Sequence, residues 1–280
     1  MFRYTKKTLT VEVVTLLATA VLLLPFWILV MGSFKSLPQI LSTAAMAPPA
    51  QPTIDNFVQL LSPASASSGN IWAGLASSVI ITAGSILLLI ILGSLAAYAI
   101  ARSTSRWSRR AYYLFLVAII LPTQLGTLPL YIGARDVGLV GNPWGMVLIY
   151  TGMLLPLSVF LYANFFRNLD LEYEEAAVID GANRYQVFWS IVLPLMSPAT
   201  GTVAILAGLI VWNDFFTALI FLNGTTYQTL PVVIYSYVGS LVSQWNLIFA
   251  VVIISMIPIL AFYAFAQKKF IQGYAGGLKG

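Results

Sequence analysis

Six long apolar stretches constrain this sequence more than any other feature. They run Leu9–Met31, Trp72–Ala101, Ala111–Tyr131, Pro143–Phe166, Met196–Leu222 and Leu247–Ala266. A helix rising about 1.5 Å per residue needs about 20 apolar residues to cross the hydrocarbon core of a bilayer. Each stretch is long enough, so six transmembrane helices are predicted. Pro25, Pro122, Pro129, Pro156 and Pro258 lie inside them, which helices in lipid tolerate better than helices in water. A seventh candidate, Leu230–Val242, is short and interrupted by Pro231, Ser236 and Gly239. It reads as an interfacial or re-entrant segment. The first stretch follows cationic residues as a signal peptide would. Its apolar run is too long for that, and Ala45-Met46-Ala47 lies too far downstream for cleavage, so a retained helix is expected.

Composition agrees, since only 8% of residues are charged where a water-soluble domain carries about a quarter. The sequence has no Cys and no His. That excludes disulfides, thiolate and imidazole catalysis and the common zinc ligands. No catalytic residue and no metal site is expected. Nor is there the clustered cationic face that nucleic acid requires.

Charge sets the orientation. With six spans, Arg3, Lys6, Lys7, Arg102, Arg106, Arg109, Arg110, Arg167, Arg184, Lys268, Lys269 and Lys279 share one side, against Lys35 and Arg135 on the other. The cation-rich side is cytoplasmic. Both termini are therefore expected inside, and Gly32 to Asn70 forms an external loop. No internal repeat is visible, and residues 1–280 are expected to form a single membrane domain.

The cytoplasmic loop from Asn164 to Leu195 is acidic, with Asp170, Glu172, Glu174, Glu175 and Asp180 against Arg167 and Arg184. A helix meant to lie on the anionic inner leaflet is normally basic. This one points to a protein partner. Asp170 can cap a first helix, whose early carboxylates complement the positive helix end. Gly181 can end that helix in a left-handed conformation. Asn183 can cap a second helix, Arg184 to Ser190, leading to Pro194. Ala176 and Ala177 give the first arm a side small enough for close approach by a partner. Glu174 is expected to be a solvated helix-end charge.

Glu175-Ala176-Ala177, three residues, Gly181, nine residues and Ile191-Val192-Leu193-Pro194 resemble the EAA loop of ATP-binding-cassette (ABC) importer permeases, E-A-A-x3-G-x9-I-x-L-P. Other stretches are similar to sugar permeases of the maltose-transporter type, in particular its smaller, MalG-like permease. They are Gly93 to Arg102, Trp212-Asn213-Asp214-Phe215, Thr229-Leu230-Pro231-Val232 and the closing Gln272-Gly273 to Gly280. The likeness covers about Trp72 to Gly280, and the tail is one residue shorter than the family's usual Q-G-L-x-x-G-A-V-K-G. The resemblance implies an all-α, type I ABC importer permease fold, with loop 164–195 acting as a cytoplasmic coupling helix. It implies that Glu175, Ala176, Ala177, Gly181, Ile191, Leu193 and Pro194 serve coupling to an ATPase, and that Leu278, Lys279 and Gly280 contact it.

The implied partners are a second, MalF-like permease, a dimer of ABC ATPase subunits and an extracytoplasmic sugar-binding protein. The implied place is the bacterial plasma membrane. No P-loop is present, because Lys7-Thr8 and Lys35-Ser36 follow Lys6 and Phe34 and not glycine. ATP and Mg are therefore expected on the partner subunits, and no cofactor in this chain.

Asp214 is the only acid deep within a predicted span. An ionised carboxylate there faces a cavity or a partner. With Trp212 and Asn213 it could line a sugar path, or it could pair with polar groups at the permease–permease interface. Residues Asn223 to Asn246, rich in Tyr, Gln, Ser and Asn, could reach the binding protein or form an aromatic belt at the lipid surface. The alternative class is an ion-coupled secondary transporter, which calls for repeats or coupling carboxylates within the spans.

Overall fold

Apolar runs punctuated by proline, glycine and capping residues make helices of unequal length. A computed structural model describes residues 6–62, 70–238 and 243–277, with no strand among them. In chain order the first helices are α1 (Lys6–Ser33), α2 (Leu37–Ser42), α3 (Asp55–Leu61) and α4 (Ile71–Leu88). A π-helical turn at Leu89–Gly93 carries α4 into α5 (Ser94–Arg102), followed by α6 (Arg106–Ile120), α7 (Thr127–Asp136) and α8 (Pro143–Arg167). Next come α9 (Glu172–Ile179), α10 (Arg184–Gln186), a second π turn at Val187–Val192 and α11 (Leu193–Leu195). The chain ends with α12 (Ser197–Asn213), α13 (Phe216–Phe221), α14 (Leu230–Ser236) and α15 (Trp245–Gly277).

Among the described residues four helices are long and apolar enough to span a bilayer, or six if each of two bent pairs counts as one span. The four are Lys7–Ser33, Ile71–Arg102, Pro143–Arg167 and Trp245–Phe265, matching the first, second, fourth and sixth predicted spans. The other two need correction. The third, expected unbroken over Ala111–Tyr131, bends by 97° between α6 and α7. Pro122 crowds the residue before it out of the helical region, and Leu121 is extended at φ −70°, ψ 130°. The fifth, expected over Met196–Leu222, stops at Asn213, and α13 resumes at Phe216. Asp214 ends it by turning its carboxylate onto the amides of the next helix. Leu230–Val242 holds only the seven-residue α14, and its last four residues lie outside those described.

The chain divides into two compact units: Met1–Trp72 with Val233–Ile257, and Ala73–Val232 with Pro258–Gly280. In the first, Leu60, Ile71, Val233, Tyr237, Leu247 and Val251 form the apolar centre. The Asn56 amide donates to the carbonyls of Ser33 (2.8 Å) and Lys35 (2.9 Å), and Asn246 Nδ2 donates to Asn56 Oδ1 at 2.7 Å. Lys35, in the expected external loop, is buried. Its ammonium donates to Thr43 Oγ1 (3.0 Å) and to the Ala44 carbonyl (3.1 Å). Among the described residues most apolar side chains of α1 stay exposed.

In the second unit α4, α5 and α8 pack closely because small residues meet at the crossing. Gly93 lies against Ser158, where an added Cβ would collide with the serine hydroxyl. That hydroxyl donates to the Leu89 carbonyl at 3.0 Å, meeting an acceptor in the π turn. Below this crossing Ala97, Val159, Tyr162, Ala163, Phe166, Phe188, Val192 and Ala199 form one buried cluster. The cluster is the platform on which the acidic loop rests.

Candidate functional site

The acidic loop folds as the helix–glycine–helix elbow that its local residues dictate. Glu172, Glu174 and Glu175 fill the first turn of α9, where carboxylates offset the positive helix end. The cap differs in detail from expectation. Leu171 occupies the N-cap position without a side-chain bond, while Asp170 Oδ1 accepts from the Glu172 amide at 3.2 Å. At the other end Gly181 has φ +89°. The Ala182 amide reaches the Ala177 carbonyl at 2.9 Å and the Gly181 amide reaches Val178 at 3.0 Å. This pair of bonds closes a Schellman turn, whose left-handed residue is glycine because a Cβ is strained there.

The second arm starts with a capping box. Asn183 Oδ1 accepts from the amides of Tyr185 and Gln186, both at 3.0 Å, and the Asn183 amide donates back to Gln186 Oε1 at 2.8 Å. Helical structure runs past the expected Ser190 to Leu195, through the π turn. A 72° bend then leads into α12.

The motif residues divide between two faces. Glu175 and Ala176 are exposed, as is Pro194. Ala177 faces inward into the cluster with Phe166 and Val187, so its small side chain admits this chain's own helices and not a partner. Ile191 and Leu193 are half-buried against the same cluster, and Val192, an unspecified position of the motif, is fully buried. The outward face carries Leu171, Tyr173, Val178, Ile179 and Tyr185. Ile179 is 85% exposed and Tyr185 80%, an apolar crest on an otherwise acidic arm.

Glu174 is not the solvated charge expected of it. Arg102, at the end of α5, sets both Nε and Nη2 2.7 Å from Glu174 Oε1, and the Tyr98 hydroxyl donates to Oε2 at 2.5 Å. Arg102 Nη2 also donates to the Leu169 carbonyl at 3.1 Å. The Tyr98 ring packs 5.6 Å from Phe166 and 5.2 Å from Phe188, centroid to centroid. Beside this group a recess of about 680 Å³ opens between α5, α9 and the second arm, with Glu175, Val178, Arg184 and Val187 on its walls. Tyr98 and Arg102 were missed as partners of the elbow. Their spacing of four puts them on one helix face, but the sequence does not say that the loop folds back beneath it.

Asn213 and Asp214 make hydrogen bonds within the chain. Asp214 Oδ2 accepts from the Tyr150 hydroxyl (2.6 Å) and from the amides of Thr217 (3.0 Å) and Ala218 (3.3 Å). It therefore caps α13 and anchors a buried tyrosine. Trp212 is buried, and Asn213 Nδ2 bonds back to the Leu209 carbonyl at 2.8 Å. Among residues 223–246, Tyr227, Tyr235 and Trp245 are exposed. Leu278, Lys279 and Gly280 lie outside the described residues. No group of three or more metal-ligating acids occurs among the described residues.

Residues 89–275 match the family model "Binding-protein-dependent transport system inner membrane component". The melibiose/raffinose/stachyose import permease protein MelC of Bacillus subtilis is 34% identical over 275 residues, covering 97% of each chain. The probable starch degradation products transport system permease protein AmyC of Thermoanaerobacterium thermosulfurigenes is 32% identical over 253 residues, 90% of each. A chain from the crystal structure of a bacterial ABC transporter involved in the import of the acidic polysaccharide alginate superposes with a TM-score of 0.82 at 21% identity, covering 96% of this chain and 100% of that one. It shares the fold. With a model match over most of its length and relatives of equal extent, the chain belongs to the inner membrane components of binding-protein-dependent transport systems, the permeases of ABC importers.

Proposed function

We propose that the chain forms half of the path by which a sugar or oligosaccharide, delivered by an extracytoplasmic binding protein, enters the cell, driven by ATP hydrolysis on partner subunits. The observation that carries this reading is the elbow. An acidic arm with an exposed apolar crest, set at a fixed angle by Gly181 and the Asn183 capping box, is a docking surface for a protein and not for an anionic membrane. Hydrolysis belongs to that docked partner, because this sequence lacks the Gly-Lys-Ser/Thr loop that cradles phosphates. The carbohydrate class rests on relatives named for melibiose, raffinose, stachyose and starch products. In this reading both termini and the elbow are cytoplasmic, and the second permease completes the path. An ion-coupled mechanism is not favoured: the acid of the fifth span, Asp214, is held by three donors.

Reconstitution tests the reading. Expressed with a second permease, an ATPase and a binding protein from the same source, the chain should co-purify with the ATPase. The complex in liposomes should take up sugar only with ATP inside and loaded binding protein outside. The isolated chain should hydrolyse no ATP. Turnover by that chain alone, or ATP-independent uptake, would overturn the assignment.

A further inference from the structure

The chain connects α9 to its neighbours by weak routes. On one side lie the non-helical residues Asn168 to Leu171, on the other the glycine turn at Gly181. An eight-residue helix held only by such connectors could swivel when a partner pushes on it, and the push would be lost. Ala177 packs α9 into the buried cluster, and the structure adds a polar attachment. Of the three carboxylates in the first turn of α9, Glu172 and Glu175 are exposed and Glu174 alone turns inward. Its two oxygens receive Arg102 and the Tyr98 hydroxyl.

The chemistry of this contact suits a mechanical joint. The guanidinium presents its donors in a rigid plane, and here it holds the Glu174 carboxylate and the Leu169 carbonyl at once. It thus grips both the helix and the connector that precedes it. The side chains of Arg102 and Glu174 are 18% and 13% exposed, so water screens the pair less than it would a surface pair. Tyr98 sits one turn away on the same face of α5, with its ring against Phe166 at the end of α8 and Phe188 in the second arm. One residue therefore touches both arms of the elbow and a neighbouring span.

We propose that Arg102, Glu174 and Tyr98 form a tie through which displacement of the coupling helix is delivered directly to the end of the second predicted span. They are positioning residues: none of them handles substrate or nucleotide. The proposal rests on the reading of the elbow as the ATPase docking surface. Exclusion of most water makes the joint stiff, and removing one partner leaves the other without its opposite charge. A joint of this kind sets how much transport each hydrolysis event yields.

The test uses the complete complex in liposomes and compares the wild type with Arg102→Gln, Glu174→Gln, Tyr98→Phe and the exchanged pair Arg102→Glu with Glu174→Arg. Three quantities are read at matched amounts of permease: ATPase retained on purification, ATP hydrolysed, and sugar taken up per ATP. Either single charge removal should lower uptake per ATP about tenfold, within the usual span of coupling between two sites. Tyr98→Phe should lower it less, and the exchanged pair should recover most of the loss. A merely structural role would reduce the amount of complex and leave the ratio per ATP where it was. That result, or an exchanged pair as poor as the single variants, would overturn the tie. Failure of the wild-type chain to retain the ATPase would instead remove the docking reading beneath it. Tyr98→Phe keeps the ring packing, so it reports on the hydroxyl even where a charge variant folds poorly.

Discussion

Replacing Gly181 separates the shape of the elbow from the surface it presents. With φ at +89°, any L-residue bearing a Cβ incurs about 1–2 kcal/mol of left-handed strain, highest when the side chain is β-branched. A Cβ built there meets nothing within 4 Å, so it adds no clash of its own. Two amide bonds hold the turn, Ala182 to Ala177 and Gly181 to Val178, each worth about 0.5–1.5 kcal/mol net. The strain is therefore comparable to what closes the turn. Gly181→Val should leave the elbow open in a large share of molecules, a shift of about tenfold for each 1.4 kcal/mol. Gly181→Ala should have a smaller effect of the same kind. Gly181→Asn should be nearly harmless, since asparagine tolerates this region. The assay is ATP-driven sugar uptake by the reconstituted complex, with retained ATPase measured in parallel. If Gly181→Asn were as damaging as Gly181→Val, bulk at the docking face would be the cause and the conformational reasoning would be wrong. Full activity of Gly181→Val would mean that the angle of the elbow is not used at all.

Asp214→Ala should destabilise the detergent-solubilised complex by roughly 2–4 kcal/mol, combining a lost cap on α13 with a buried Tyr150 hydroxyl left without its acceptor. Asp214→Asn, which keeps an acceptor oxygen, should cost less; thermal unfolding that shows no difference between either variant and the wild type would refute the capping role. A cysteine placed at Thr225 should react with an impermeant thiol reagent added outside intact cells, and one placed at Ser105 should not. The background is clean because the sequence has no cysteine, and external labelling at Ser105 would reverse the orientation.

The features legible in the sequence were those fixed by neighbouring residues. Span length needs only a run of apolar side chains, and four spans are continuous helices close to the predicted bounds. The left-handed turn at Gly181 and the box from Asn183 to Gln186 follow from residues within a few positions of each other, so spacing was enough. The bends were harder. Pro25, Pro156 and Pro258 sit inside continuous helices, while Pro122 lies at a 97° bend. A proline removes one donor in every case. Whether the helix continues is decided by neighbouring segments that the local sequence does not show. Asp214 shows a second role that an apolar run hides. Its place there points to cavities and partner subunits, and within the chain it also binds the amides of Thr217 and Ala218, three and four residues on. Once α12 ends, the amides opening α13 have no carbonyl partners within that helix, and a carboxylate at their start meets that need without any ligand. Glu174 marks the firmest limit. Glu172, Glu174 and Glu175 have the same chemistry and lie within four positions, and nothing local ranks them. Only the return of the chain beneath α5, which brings Arg102 across 72 positions, picks one carboxylate to face inward and leaves the other two exposed.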